Sequence, residues 1–309
     1  MEEVLKYNQH IDSLCICKSF SSNDIKGLVI GASNLEGNLW DGSIGLIYNK
    51  KGKTNVFKQL PAGVTSVRIA DSDNMLVLVG RDDGIVSIHS TQTLDEIHSI
   101  DAHEDIISMV QYDHQNRGIF ASSSWDGSIS WWDYSRGQCV QKINAHYGHV
   151  NDFSFCSKNT NMLSSIGQDG FLRIWDKRVG INCVQLYDLG QAGSCCLWDS
   201  INDNNIIVGA DSGLLSFWDF RSGKDNSGMD VSPANINLHK TRIRRIIQIP
   251  EKNMIVTASD DTTITLLGQG YEVISRFAEH SDYVTDIVYD ENQFLYTSST
   301  DKTLKCIKV

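Results

Sequence analysis

Along most of the chain, short segments alternate apolar and polar residues with the two-residue period of a half-buried strand, and tight-turn signals separate them. The strings SSWDGSISWWD, IGQDGFLRIWD and GADSGLLSFWD share one plan. A strand leads into an Asp-Gly or Asp-Ser-Gly turn, and a second strand closes on Trp-Asp. Trp132, Trp175 and Trp218 recur with a period of about 43 residues, and Gly127, Gly170 and Gly213 keep the same step. Upstream, GRDDGIVSIHS and NLWDGSIGLIY extend the series through Gly84 and Gly42. Downstream, ASDDTTITLLG and SSTDKTLKCIK continue it with Asp261 and Asp301, without the glycine or the terminal Trp-Asp. The units number seven.

A unit of this length with a Trp-Asp ending resembles the WD repeat, and the resemblance covers nearly the whole chain. It implies an all-β fold, a seven-bladed WD-repeat β-propeller with residues 1–309 in a single domain. The last unit stops at Val309, after its third strand. Residues 1–10 are therefore expected to supply a closing strand that completes the last blade and covers its edge. One interval is long, about 50 residues from Asp211 to Asp261. The excess, residues 221–238, is polar and rich in Gly, Ser and Asn, and is expected to be a long surface loop between blades five and six.

With 41% hydrophobic and 21% charged residues, the chain has enough apolar surface for a sizeable core and lacks a disordered composition. A formal net charge of −11 disfavours direct contact with a nucleic-acid backbone or an anionic membrane and favours basic partners. The eight cysteines include no CxxC pair, and the first residues have neither a basic n-region nor an apolar h-region, which reads as a reduced, intracellular protein. No apolar run of about 18 residues is present. Neither a P-loop, a dinucleotide fingerprint nor an HExxH motif occurs, so no cofactor, metal or catalytic residue is expected.

His103, Ser122, Asp126 and Trp132 in one unit, and His146, Ser165, Asp169 and Trp175 in the next, invite a catalytic reading. A hydrolase triad would occur once, in a cleft. These sets instead resemble the structural tetrad of WD repeats, a buried hydrogen-bonded chain that fixes blade geometry. Units six and seven keep His239, Thr257, Asp261 and His280, Thr297, Asp301 but lose the Trp. Unit five has Gly190 near the His position and Ser212 at the Asp position, and is expected to be the least well tied. Cys15 and Cys17 share a strand face but have no nearby His or Cys to complete a zinc site, which favours buried packing. Arg242, Arg244 and Arg245 form a basic spot that either meets an acidic partner or is a solvated strand face.

In WD-repeat propellers the residue before the turn Asp tends to reach the rim where partners dock. Here these are Trp40, Asp82, Trp125, Gln168, Asp211, Asp260 and Thr300. Trp is the strongest hot-spot type at interfaces. Packing on their own blades is the alternative for Trp40 and Trp125, and plain solvation for the acidic residues. The first unit also has an extended inner turn: Ala32 to Asp41 spans nine positions, where Ala121 to Asp126 spans five.

This stretch, VIGASNLEGNLWDGSIGLIYN, is similar to the GAS-rich loop with a protruding Trp in the WD-repeat subunits of type II protein arginine methyltransferase complexes. The similarity continues in AGVTSVRI, HEDIISMV, LRIWDKR and EHSDYVTDIVY. It implies a non-catalytic scaffold and obligate cofactor of an enzyme that makes symmetric dimethylarginine, found in cytoplasm and nucleus. Such a scaffold binds the enzyme's N-terminal barrel domain through Trp40, flanked by Leu39 and Asp41, within a hetero-oligomer. It presents Arg-rich substrates such as histone tails and Sm proteins. The chain departs from vertebrate members in lacking their Pro-rich N-terminal extension and C-terminal tail, and Trp125 does not carry over. A WD-repeat adaptor of a ubiquitin ligase or chromatin complex is the alternative. An enzyme built on a propeller would need a convergent carboxylate or metal cluster in the channel.

Overall fold

The computed structural model describes residues 2–17, 27–36, 39–48, 55–70, 76–180, 182–202, 204–220 and 234–309. Strand β1 (Glu2–Lys6) comes first. Blade one follows with β2 (His10–Cys17), β3 (Gly27–Glu36), β4 (Leu39–Tyr48) and β5 (Val56–Leu60). Blade two holds β6 (Val64–Ile69), β7 (Leu76–Arg81), β8 (Ile85–Ser90) and β9 (Glu96–Asp101). Blade three has β10 (Ile107–Tyr112), β11 (Ile119–Ser124), β12 (Ser128–Asp133) and β13 (Gln138–Asn144). Blade four comprises β14 (Val150–Phe155), β15 (Met162–Gly167), β16 (Phe171–Asp176) and β17 (Cys183–Asp188). Blade five comprises β18 (Gly193–Trp198), β19 (Asn205–Ala210), β20 (Leu214–Asp219) and β21 (Ala234–Asn237). Blade six comprises β22 (Ile243–Ile249), β23 (Met254–Ser259), β24 (Ile264–Leu267) and β25 (Val273–Phe277). The last three strands, β26 (Val284–Tyr289), β27 (Phe294–Ser299) and β28 (Thr303–Lys308), form a four-stranded sheet with β1. The fold is all-β, a seven-bladed β-propeller.

Two compact units make up the chain, Met1–Lys142 with Thr285–Val309, and Ile143–Val284. In each, the core lies between consecutive sheets. In the first unit Leu78, Val86 and Ile88 of blade two pack on Ile107, Phe120 and Trp132 of blade three. In the second, Ile166, Leu172 and Ile174 of blade four pack on Trp198, Val208 and Trp218 of blade five. This explains the strand patterns. The middle strands β11 and β12 are covered on both faces and read IFASSS and SISWWD, apolar or small nearly throughout, whereas the outer β13 is mostly exposed. Each buried Leu, Ile or Phe contributes about 1.5–3 kcal/mol.

The first strand of each of blades one to six is bulged near its start, after Ile11, Val64, Ile107, Val150, Gly193 and Ile243. A bulge frees backbone groups from the ladder. Side chains of the preceding blade take them up: Thr65 Oγ1 donates to the Ile107 carbonyl at 2.5 Å, Thr285 Oγ1 to Ile11 at 2.5 Å, Ser194 Oγ to Ile243 at 2.7 Å and Asn151 Nδ2 to Gly193 at 2.6 Å. In these four places one polar side chain near the start of the first strand thus ties a blade to the next.

Three sequence boundaries shift. Only Glu2–Lys6 pairs with β28, in a register from Glu2 opposite Cys306 to Lys6 opposite Thr303, and His10 already opens β2. In the stretch 221–238, residues 234–237 are not loop. They form β21 against β20, with Leu238 buried behind them; residues 221–233 lie outside the described residues. The extended inner turn of blade one is mostly strand, because β3 and β4 pair as far as Glu36 opposite Leu39. Gly37 and Asn38 lie outside the described residues.

The hairpin turns explain where the repeat keeps its glycine. Gly84, Gly127, Gly170 and Gly213 all have φ between 79° and 84°, the left-handed region open to glycine. Units six and seven place Thr262 (φ 70°) and Lys302 (φ 68°) in the same conformation and close the same turn, Thr262 N–H to Ser259 O and Lys302 N–H to Ser299 O. No helix of the described residues is long and apolar enough to cross a membrane.

Candidate partner-binding surface

Strands β3 and β4 are ten residues long, against four to six for the middle strands of the other blades. Trp40 and Leu39 begin β4, opposite Leu35 and Glu36; Trp40 therefore sits on a paired ribbon rather than a free loop, and its side chain lies outside the described residues. The glycines of this hairpin admit the neighbouring blade. A Cβ on Gly31 would meet Val64 Cγ1 at 2.4 Å, and one on Gly42 would meet the Ala62 carbonyl oxygen at 2.3 Å.

Asp41 is held inside blade one, accepting hydrogen bonds from Gln9 Nε2 (3.4 Å) and Gln59 Nε2 (2.6 Å). Ser43 lies 2.9 Å from Tyr7 Oη and donates to Gln9 Oε1, and Tyr7 stacks on Phe57 at 4.9 Å. Tyr7, Gln9, Asp41 and Ser43 thus form a hydrogen-bonded group where blades three, four and six use a histidine. The residue types differ from the tetrad, so the repeat pattern does not reveal it.

Blade three brings His103, Ser122, Asp126 and Trp132 together. His103 Nδ1 lies 3.0 Å from Asp126 Oδ2, its Nε2 lies 2.8 Å from Ser122 Oγ, and Trp132 Nε1 donates to the same Ser122 oxygen at 2.8 Å. Blade four repeats this with His146, Asp169, Ser165 and Trp175 at 2.8, 2.8 and 2.9 Å, and Arg173 Nη1 donates to Asp169 Oδ2 at 2.7 Å. In blade six His239 joins Asp261 and Thr257, with Leu267 closing the strand. Burial pushes the Asp126 and Asp169 carboxyls up, but hydrogen bonds from the histidines and neighbouring groups outweigh it and hold both well below the usual carboxylate range. These groups are spent on one another inside the blades.

The tetrad also determines what points outward. The N–H groups of Glu104, Tyr147 and Lys240, each just after a tetrad histidine, donate to Asp126, Asp169 and Asp261 at 3.3, 3.0 and 3.0 Å, and all three residues are exposed. Tyr147 is 90% exposed and Tyr283 is 47% exposed. Sequence reasoning missed both, although Tyr147's place beside the tetrad histidine was a usable signal.

Among the rim residues, Trp125 is 39% exposed, with its N–H bonded to the Ile106 carbonyl. Asp82 is half-buried; burial raises its carboxyl pKa, and Asp83 adds to this. Asp211 and Asp260 each face an arginine of blade six. Arg242 Nε lies 3.3 Å from Asp211, and Arg244 Nε donates to Asp260 at 2.6 Å with its guanidinium over Tyr283. Two of the three arginines of the basic spot therefore stand beside acidic rim residues. Cys15 and Cys17 are buried between blades one and two, and burial pushes the Cys15 thiol up. Among the described residues, no three His, Cys, Asp or Glu side chains are placed to share a metal ion.

The family model described as WD domain, G-beta repeat matches residues 94–133, 137–176 and 271–308. The chain is 22% identical over 292 residues to Methylosome protein WDR77 of Xenopus laevis, covering 90% of this chain and 85% of that one. It is 22% identical to WD repeat-containing protein 55 of Arabidopsis thaliana, covering 78% and 66%. It is also 26% identical to the CCR4-associated factor 4 homolog of Candida glabrata, covering 44% of this chain but only 24% of that protein. Similarity to proteins with such different names does not by itself assign a function. With three of its units matched as WD repeats and seven four-stranded sheets in place, the chain is a seven-bladed β-propeller that carries WD repeats.

Proposed function

We propose that this protein is the non-catalytic scaffold and obligate cofactor of a type II protein arginine methyltransferase, the class that makes symmetric dimethylarginine. In this reading it binds the enzyme's N-terminal barrel domain through the first-blade ribbon and presents basic, Arg-rich substrates such as histone tails and Sm proteins, in cytoplasm and nucleus. The observation that carries the reading is the ten-residue β3–β4 hairpin with Trp40 near its outer end. The generic repeat needs only about six residues per strand there, so the extension is surplus to folding. Similarity to the frog methylosome protein over 90% of the chain supports it. The net charge of −11 supports attraction of basic tails, which falls as salt shortens the screening length to about 8 Å at 0.15 M.

Reconstitution tests the reading. The purified chain is mixed with a purified type II methyltransferase, and co-elution and symmetric dimethylation of a histone-tail peptide are measured. Co-elution with stimulated methylation is expected, and no methylation by the chain alone. Separate elution, with no change in enzyme rate, would refute the reading; capture of a ubiquitin ligase subunit from extract would put the adaptor alternative in its place.

A further inference from the structure

Blade five lacks the group that fills its neighbours. At the places of His103, Ser122 and Asp126 it carries Leu189, Val208 and Ser212, while Trp218 keeps the place of Trp132. With no hydroxyl at Val208, the Trp218 indole turns to Ser216 and donates to its Oγ at 2.9 Å. Leu189 packs towards blade four, near Ile166, and its Cδ1 comes within 3.1 Å of a Cβ placed on Gly193. Neither residue fills the space an imidazole occupies in blades three, four and six. A cavity of about 330 Å³ results, with Val208, Ala210 and Trp218 on its floor and Asp188 and Asn235 at its mouth.

The floor residues are buried and the mouth residues exposed. The floor's indole N–H is already satisfied by Ser216, so a polar group driven inside would lose its water partners and gain no donor there. The mouth differs. One Asp188 carboxylate oxygen accepts the Gly190 N–H at 2.8 Å, and the other has no partner among the described residues. Small apolar pockets with one charged group at the lip orient a ligand by that group.

We propose that this cavity is a docking pocket for a partner polypeptide, taking one large apolar side chain of phenylalanine size with an adjacent Arg or Lys placed against Asp188. The missing tetrad creates the volume, and independently of it the lip carboxylate on a chain of net charge −11 selects the basic neighbour. The inference goes beyond the methyltransferase reading and does not depend on it, because blade five shares no strand with the first-blade ribbon.

The test follows the Trp218 indole NMR signal of the full chain during titration with the synthetic peptides GSGFRGSG, GSGARGSG, GSGFEGSG and GSGFSGSG. The Phe-Arg peptide is expected to shift that signal saturably, and the Ala-Arg and Phe-Glu peptides to bind at least about tenfold more weakly. Asp188→Asn should weaken the Phe-Arg peptide and leave the Phe-Ser peptide unchanged. Rebuilding the tetrad with Leu189→His, Val208→Ser and Ser212→Asp should fill the cavity and abolish the shift; Ala210→Leu fills it by a separate route if the triple variant does not fold. No Trp218 shift in the wild type up to millimolar peptide overturns the proposal, as does undiminished binding to a folded, filled variant.

Discussion

His103 and Trp132 are joined through one oxygen atom: the imidazole Nε2 and the indole Nε1 each lie 2.8 Å from Ser122 Oγ. The indole can only donate, so it occupies the hydroxyl's acceptor side, and the Ser122 O–H is left to donate to Nε2. The imidazole proton then sits on Nδ1 and points to Asp126. A chain of this kind has a fixed direction, and each member depends on the next.

Ser122→Ala should therefore cost more than one hydrogen bond. It leaves both the buried indole N–H and the imidazole Nε2 without a partner, at about 1–3 kcal/mol each, so a total near 3 kcal/mol is expected. Ser165→Ala should cost a similar amount in blade four, where Ser165 joins His146 and Trp175. Urea denaturation measures both. A loss below about 0.5 kcal/mol for either would show that its quartet contributes nothing net to the fold.

Stability should fall on acidification in two stages. Burial lowers the pKa of His89, His146 and His239 below the ordinary 6.5. Their unfolded forms thus bind protons first, and the stability they contribute is full above about pH 6.5 and is lost as pH falls through the depressed folded values. The Asp126 and Asp169 carboxyls are held below their ordinary 3.8, so a second loss begins near pH 4. Urea midpoints between pH 8 and 3.5 should decline in these two steps. His89→Gln, removing a buried ring bonded to Ser87 and the Leu94 carbonyl, should flatten the first step. A flat profile from pH 7 to 5 would contradict the assignment.

The repeat made the seven sheets legible because each blade marks its middle hairpin with the same few residue types. The tetrads followed, since His, Ser, Asp and Trp recur in step and the structure places them within hydrogen-bond reach. Less was legible where different residue types do the same work. Tyr7 and Gln9 serve blade one in a way no tetrad pattern describes, and β21 was hidden in a polar stretch because only Ile236 marks its inward face. The pairing of Arg242 and Arg244 with Asp211 and Asp260 was equally hidden, since a sequence displays charges but not which ones meet.

Thr262 carries the conformational strain that the glycine turns avoid. A β-branched residue at φ 70° is disfavoured by contact between its Cβ and the backbone, and the same turn elsewhere holds glycine. Thr262→Gly should stabilise the protein by about 1 kcal/mol. The reverse change should be costly: a Cβ on Gly213 would lie 2.2 Å from the His239 carbonyl oxygen, so Gly213→Ala should destabilise by more than the Thr262 change gains. Thermal melts of the two variants decide it, and a destabilised Thr262→Gly would mean that the threonine side chain contributes contacts worth more than the strain.

Trp40 and Gly42 stand two residues apart on β4 and should fail in opposite ways. Gly42 is fully enclosed: a Cβ there would meet Ala62 O at 2.3 Å and the Gly63 Cα at 2.9 Å, both backbone atoms that cannot rotate aside. Gly42→Ala should therefore force the hairpin off blade two and lower the melting temperature, with partner binding falling only as far as the fold does. Trp40 lies two residues further along the ribbon, opposite Leu35. If it anchors the methyltransferase, its truncation removes a hot-spot side chain worth at least about 2 kcal/mol, roughly thirtyfold in affinity. If its side chain serves the partner rather than the fold, its loss should meanwhile leave stability within about 0.5 kcal/mol of wild type. Trp40→Ala is thus expected to melt normally and lose the enzyme, measured by calorimetric titration against the methyltransferase's N-terminal barrel domain. A Trp40→Ala protein that unfolds would make this residue part of the core, and one that folds and binds at full strength would move the anchor off the first-blade ribbon altogether.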